Sequence, residues 1–204
     1  MTVLLSIVTC GPQLEVALSG PTLKSTSAIR LCGVARRSSL LLAAVDLLVE
    51  DADIPRADIS KIIVSRGPGS FTGIRSGLAT AGGLAAALGC RIVAFNSLLV
   101  QAARIEGPGE VWAAQPGRRG EVYARAFSLE EATVPKPTTE LEILPLPQLA
   151  GRGPWIAAET LSLGDARRMA PIRSAAEALI RLADAGLGSE ALEPLYVEGP
   201  PVGS

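Results

Sequence analysis

The stretch Ser65–Gly83, SRGPGSFTGIRSGLATAGG, decides how this chain is read. It opens at the end of a short β-branched run, KIIVS at 61–65, passes Gly67 and Gly69 on either side of Pro68, and enters a segment whose apolar and small residues recur at helical spacing as far as Gly89. A buried strand, a tight turn and a helix follow from that order. Glycine-rich turns at such junctions often cradle phosphate, because the first amides of a helix have no partner within it. The two best-defined sequence forms of that device are absent. Ile74 follows Gly73, and no lysine lies between Lys61 and Lys136, which excludes a P-loop. Gly67-Pro68-Gly69 starts a dinucleotide fingerprint, but Thr72 stands where its third glycine belongs. What remains is a candidate anion-binding turn of Gly67, Gly69, Ser70 and Thr72, in competition with plain capping of the helix by Ser70 or Thr72.

The helix is more informative than its turn. Gly73, Gly77, Ala81, Ala85 and Gly89 recur every fourth residue and form a side-chain-poor strip, with Ile74 and Leu78 beside it. Each interior glycine costs a helix about 1 kcal/mol relative to alanine, so close packing must offset the loss, either on the protein's own sheet or on another polypeptide. The preceding helix, residues 36–50, favours the second choice. Its polar stripe of Ser39, Asp46 and Glu50 is narrow, and leucine, alanine and valine cover the rest of the circumference. A helix on the outside of a sheet needs one apolar face, and this one has nearly two. The expected partner-binding helix pair therefore comprises Leu41, Leu42, Val45 and Leu48 on the first helix and Gly73, Ile74, Gly77, Leu78, Ala81 and Ala85 on the second.

Composition bounds the remaining classes. A formal charge of −1 supplies no bulk field for nucleic acid, and arginines come only in isolated pairs. Cys10, Cys32 and Cys90 lack CxxC spacing and read as reduced thiols. Histidine is absent, which removes the commonest general base and the commonest metal ligand together. No segment offers the roughly twenty apolar residues of a spanning helix, so the expected location is cytoplasmic. Around the central stretch, TVLLSIVT and QLEVALS read as a hairpin, STSAIRL as a weaker strand, RIVAF as a short strand and LLVQAAR as a helix capped at Asn96-Ser97. After residues 106–110 a second hairpin, VWAAQ and EVYARAF, repeats the first, each returning through a Glu-Val pair, Glu15-Val16 and Glu121-Val122. The repetition suggests a duplicated α/β unit. Pro135–Pro147 reads as strand or loop, PWIAAE as a strand, and Ser174–Ala185 as a capped helix ended by Gly186. The expected division is an N-terminal unit at 1–106, a reduced C-terminal unit at 107–192 and a flexible tail at 193–204.

The segment SRGPGSFTGIRSGLATAGGLAAALGCRIVAFNSL, supported by RRGEVYARAF and by EPLYVE near the C-terminus, resembles the TsaB (YeaZ) family, whose members are required for making threonylcarbamoyladenosine in transfer RNA. The resemblance implies a degenerate actin/hexokinase/Hsp70-like (ASKHA) fold of ribonuclease H-like type: two subdomains, each a mixed sheet flanked by helices, the second reduced. It implies a partner, a TsaD-like catalytic subunit bound through the two helices. A TsaE-like ATPase joins the pair, a homodimer can form through the same helices, and transfer RNA is met only through the complex. Nucleotide-using relatives carry an acidic residue after the first strand of each subdomain. Here the matching positions hold Val8, in Ile7-Val8-Thr9, and Pro116, in Gln115-Pro116-Gly117-Arg118, neither of which offers an oxygen to magnesium. The expectation is a scaffold with no catalytic residue, no metal and no cofactor. The alternative is an ATP-dependent small-molecule kinase of the same superfamily with a divergent phosphate site. Arg37 stands where the family often has histidine, and Glu198 where it has arginine.

Overall fold

Alternation along the first strand explains the layering of the molecule. β1 (Val3–Val8) is buried throughout, with Val3, Leu5 and Ile7 in one apolar cluster and Leu4 and Val8 in another. Successive strand residues face opposite sides, so a strand buried on both faces needs helices on both. The structure, a computed structural model, describes residues 3–32, 37–130, 134–158, 161 and 167–197.

β1 pairs antiparallel with β2 (Leu14–Ser19), which pairs antiparallel with β3 (Ser27–Leu31). After α1 (Arg37–Asp51), β4 (Ile59–Ser65) lies parallel to β1, and after α2 (Phe71–Leu88), β5 (Arg91–Phe95) lies parallel to β4. The sheet order is β3-β2-β1-β4-β5. α3 (Ser97–Ala102) leads into a second sheet, where β6 (Gly109–Pro116) and β7 (Glu121–Leu129) form the repeated hairpin. β8 (Lys136–Pro137) and β9 (Glu142–Pro145) both pair with β7; α4 (Leu146–Arg152) follows, and β10 (Trp155–Ala157) lies parallel to β6. α5 (Ala175–Asp184) ends the regular elements. Each sheet is thus an antiparallel hairpin with a parallel strand beside its first member, the mixed α/β architecture expected of an ASKHA-like chain.

Three details differ from the sequence expectations. The proline-rich stretch is strand or loop through β8 and β9 as read, but its last two residues open α4; Pro147 sits in the first turn of that helix, where a missing amide costs nothing. The chain division near 106–110 separates the strands but not the helices. α3 precedes it yet packs Leu98 and Ala102 on the second sheet's Val111, Ala113 and Phe127. α5 follows it yet packs on Leu4, Val8, Ala17 and Ile63 of the first sheet, with Glu15 accepting a hydrogen bond from the Ala176 amide at 3.0 Å. The two helices form a shared middle layer, which buries one face of each sheet at once. Finally, the expected tail is docked as far as described. Within it the Leu195 amide donates to the Arg66 carbonyl at 2.8 Å, and just before it Ser189 exchanges both backbone hydrogen bonds with Ala94 and covers the edge of β5. Tyr196 stacks on Phe71 with centroids 5.0 Å apart. Residues 198–204, including Glu198, and residue 36 lie outside the described residues. No helix among the described residues is long and apolar enough to cross a membrane.

Candidate functional site at the glycine turn and its helix pair

The turn is held by backbone contacts from three directions. Gly67 (φ 106°) and Gly69 (φ 145°) occupy conformations that disfavour side chains. A methyl on Gly69 would overlap the Cys10 carbonyl, whose oxygen accepts from the Ser70 amide at 2.8 Å. The Ser97 amide donates to the Gly67 carbonyl at 2.8 Å, and the Ser97 hydroxyl donates to that of Pro68. Of the two capping candidates, Ser70 takes the role, its Oγ accepting from the Gly73 amide at 3.2 Å, while Thr72 is exposed. Cys10 beneath the turn donates to the Ser65 carbonyl at 3.3 Å, and burial pushes its thiol up to about 12, so it stays protonated and inert.

The small-residue strip of α2 packs on the protein itself. Thr9, at the end of β1, donates from Oγ1 to the Gly73 carbonyl at 2.7 Å, and a methyl on Gly73 or Gly77 would overlap Thr9. Ile74, Leu78, Ala81 and Ala85 join the core cluster of the first sheet. On α1, Leu41, Val45 and Leu48 belong to the same cluster, with Leu41 fully buried. Of the residues expected to form the partner surface, Leu42 is the one left well exposed. Those seven core residues and Gly77 fill the interior first, because the sheet below needs one apolar helix face above it.

The outer surface nevertheless carries leucine on both flanks of the exposed Asp46 and Glu50. Leu40, Leu42 and Leu47 of α1 are 45%, 53% and 57% exposed. The exposed positions of α2 include Ala79, Gly83, Ala86 and Ala87. Gly83 has no neighbour within 4 Å of where a Cβ would lie, so nothing in the fold requires glycine there. The sequence signal for these exposed residues is the excess of leucine around α1; what it lacks is the phase.

A cavity of about 540 Å³ opens between the two sheets, lined by Gly11, Phe71, Pro116, Arg118, Tyr123 and Tyr196 among others. Its described lining contains no carboxylate. Val8 packs in the apolar cluster under α5, and Pro116 presents a ring. The magnesium-bound nucleotide that the superfamily implies requires hard oxygen ligands, so these residues do not fit it. Gln115, 2% exposed beside Gly11, keeps an Oε1 with no partner among the described residues.

Residues 34–140 match the family described as TsaD: tRNA N6-adenosine threonylcarbamoyltransferase. Over 87 residues the chain is 39% identical to the tRNA threonylcarbamoyladenosine biosynthesis protein TsaB of Bacillus subtilis, and over 94 residues 33% identical to the protein of that name from Escherichia coli. These matches cover 42% and 45% of this chain and 38% and 41% of those proteins, so the chain spans about two fifths of the length of each. YeaZ from Pseudomonas aeruginosa superposes with a TM-score of 0.77 at 25% identity, over 97% of this chain and 100% of that one.

Proposed function

The chain belongs to the TsaB (YeaZ) family, within the wider family described as TsaD, tRNA N6-adenosine threonylcarbamoyltransferase, and from that premise we propose that it serves threonylcarbamoyladenosine formation on transfer RNA as a non-catalytic scaffold holding a TsaD-like catalytic subunit. The observation that carries the reading is the exposed leucine of α1. Leu40, Leu42 and Leu47 stay exposed although the core below is already filled by Leu41, Val45 and Leu48. Leucines left in water on α1, and alanine and glycine exposed on α2, suit a partner helix that packs at short axial distance. Gly83 supports the same use, since a helix interior tolerates glycine at a cost and this one has no intramolecular reason for it.

The non-catalytic part rests on side-chain chemistry. The chain has no histidine, and the cleft between the sheets has no carboxylate among its described lining residues. A TsaE-like ATPase and transfer RNA would join through the assembled pair, and a homodimer through the same helices would compete with it. Co-expression with the TsaD-like subunit from the same source tests the reading with Leu42→Asp, a change at an exposed position. The free variant should keep its circular dichroism and melting temperature while co-purification and threonylcarbamoyl transfer by the mixture are lost. An undiminished complex overturns the helix-pair surface, and magnesium-dependent ATP binding to the isolated chain overturns the scaffold assignment.

A further inference from the structure

A second cavity lies on the inner face of β7, away from the helix pair and the cleft. It measures about 360 Å³, and its walls are apolar: Leu99 of α3, Phe127 of β7, Val134, Pro135 and Pro137 before and in β8, and Leu187 after α5. Three polar side chains complete the lining, Asn96, Arg125 and Lys136, and all three can donate. Asn96 uses its oxygen to accept from the Leu98 and Leu99 amides at 2.8 and 3.4 Å, which leaves it only donor hydrogens. Lys136 is exposed and stands 3.7 Å from Glu130, so its charge is shared outward. Arg125 is different. It is half-buried, its Nε is tied to the Thr139 carbonyl at 2.7 Å, and its two terminal nitrogens have no partner among the described residues.

A guanidinium oriented by one hydrogen bond, with its terminal fork unused at the wall of an apolar hollow, is arranged for a carboxylate whose body is hydrocarbon. The cavity holds roughly a dozen non-hydrogen atoms at the ~30 Å³ that a water occupies in the liquid. No acidic residue among the described residues lines it, so a cation would meet only donors there. We propose that this cavity binds a small monocarboxylate with an apolar chain or ring, its head on Arg125 and its body against Leu99, Phe127, Pro137 and Leu187. The site stands apart from the partner surface and does not depend on the scaffold reading.

The full chain, labelled with nitrogen-15, is titrated with octanoate, and separately with octanol and octylamine as probes of equal reach. Octanoate should give saturable amide shifts at Asn96, Arg125, Lys136 and Leu187, and octylamine none. Arg125→Gln should weaken octanoate by about tenfold or more, the loss expected when a charge-assisted pair is removed. Leu187→Glu, at an exposed position, should weaken octanoate more than octanol, since both lose the leucine wall and only octanoate meets the added like charge. If Arg125→Gln fails to fold, Leu187→Glu decides. Octanol or octylamine binding as tightly as octanoate, octanoate binding that ignores both substitutions, or no saturable shift at ~10 mM octanoate overturns the proposal.

Discussion

Thr9 fills the notch that Gly77 leaves in α2. Its Oγ1 sits where a side chain on Gly77 would begin and donates to the Gly73 carbonyl at 2.7 Å, one turn back. The end of β1 and the start of α2 are thereby locked at a separation that only glycine permits, and the strip of small residues is explained from inside the fold.

Gly77→Leu should accordingly damage the free protein. A leucine there would overlap the Thr9 side chain, which is held by its hydrogen bond to the Gly73 carbonyl, and the expected loss is about 3 kcal/mol or more. In thermal unfolding that is roughly a 10 °C drop for a chain of this size. A Gly77→Leu variant as stable as the parent would show that α2 moves away from β1.

Gly83 gives the opposite result. With open space around its missing side chain, Gly83→Ala should stabilise the free chain by about 1 kcal/mol through helix propensity alone. Gly83→Leu should leave the free chain folded yet weaken its complex with a TsaD-like subunit. If the bulky variant binds as well as the parent, no helix approaches closely there.

The two faces of α1 should separate cleanly under the same substitution. Leu41→Asp buries an unpaired charge at a position with no exposure and should cost several kcal/mol, enough to lose the folded state in urea titration. Leu47→Asp, 57% exposed, should fall within about 0.5 kcal/mol of the parent. Equal losses would mean that α1 is rotated.

At α5 the capping box predicts a pH dependence. The Ser174 hydroxyl and amide donate to Glu177 at 2.7 and 2.8 Å, and these bonds hold the Glu177 carboxyl below its ordinary 4.5. Because the folded value is the lower one, the contribution is complete above about pH 4.5 and is lost as pH falls through the folded value. Ser174→Ala should cost about 1 kcal/mol at pH 7. The difference between variant and parent in urea unfolding should shrink toward pH 3; a difference that stays constant would rule out the carboxylate's part in it.

Thiol labelling reads the core. Cys32 is exposed and should react with iodoacetamide in the native protein, while Cys10, fully buried with its thiol raised to about 12, should react only after unfolding. Native labelling of Cys10 on the same time course as Cys32 would contradict the packing under the glycine turn.

Much of this architecture is legible in the order of residues, because it is written in short-range periodicity. The two hairpins, the strand KIIVS, the turn at Gly67–Gly69 and the caps at Ser70, Asn96 and Ser174 each follow from residues a few positions apart. The phase of α1 does not, because a helix that is apolar nearly all round carries no marker of which side meets the sheet; burial of Leu41, Val45 and Leu48 and exposure of Leu40, Leu42 and Leu47 were decided by β1 and β2 beneath. The same holds for α3 and α5, whose exchange between sheets depends on faces formed a hundred residues apart, and for the hollow around Arg125, whose walls come from α3, β7, β8 and the segment after α5. Local hydrogen bonding and hydrophobic period act within a few residues and are spelled out in sequence; which apolar face is buried depends on what the rest of the chain places opposite it, and only the folded molecule supplies that.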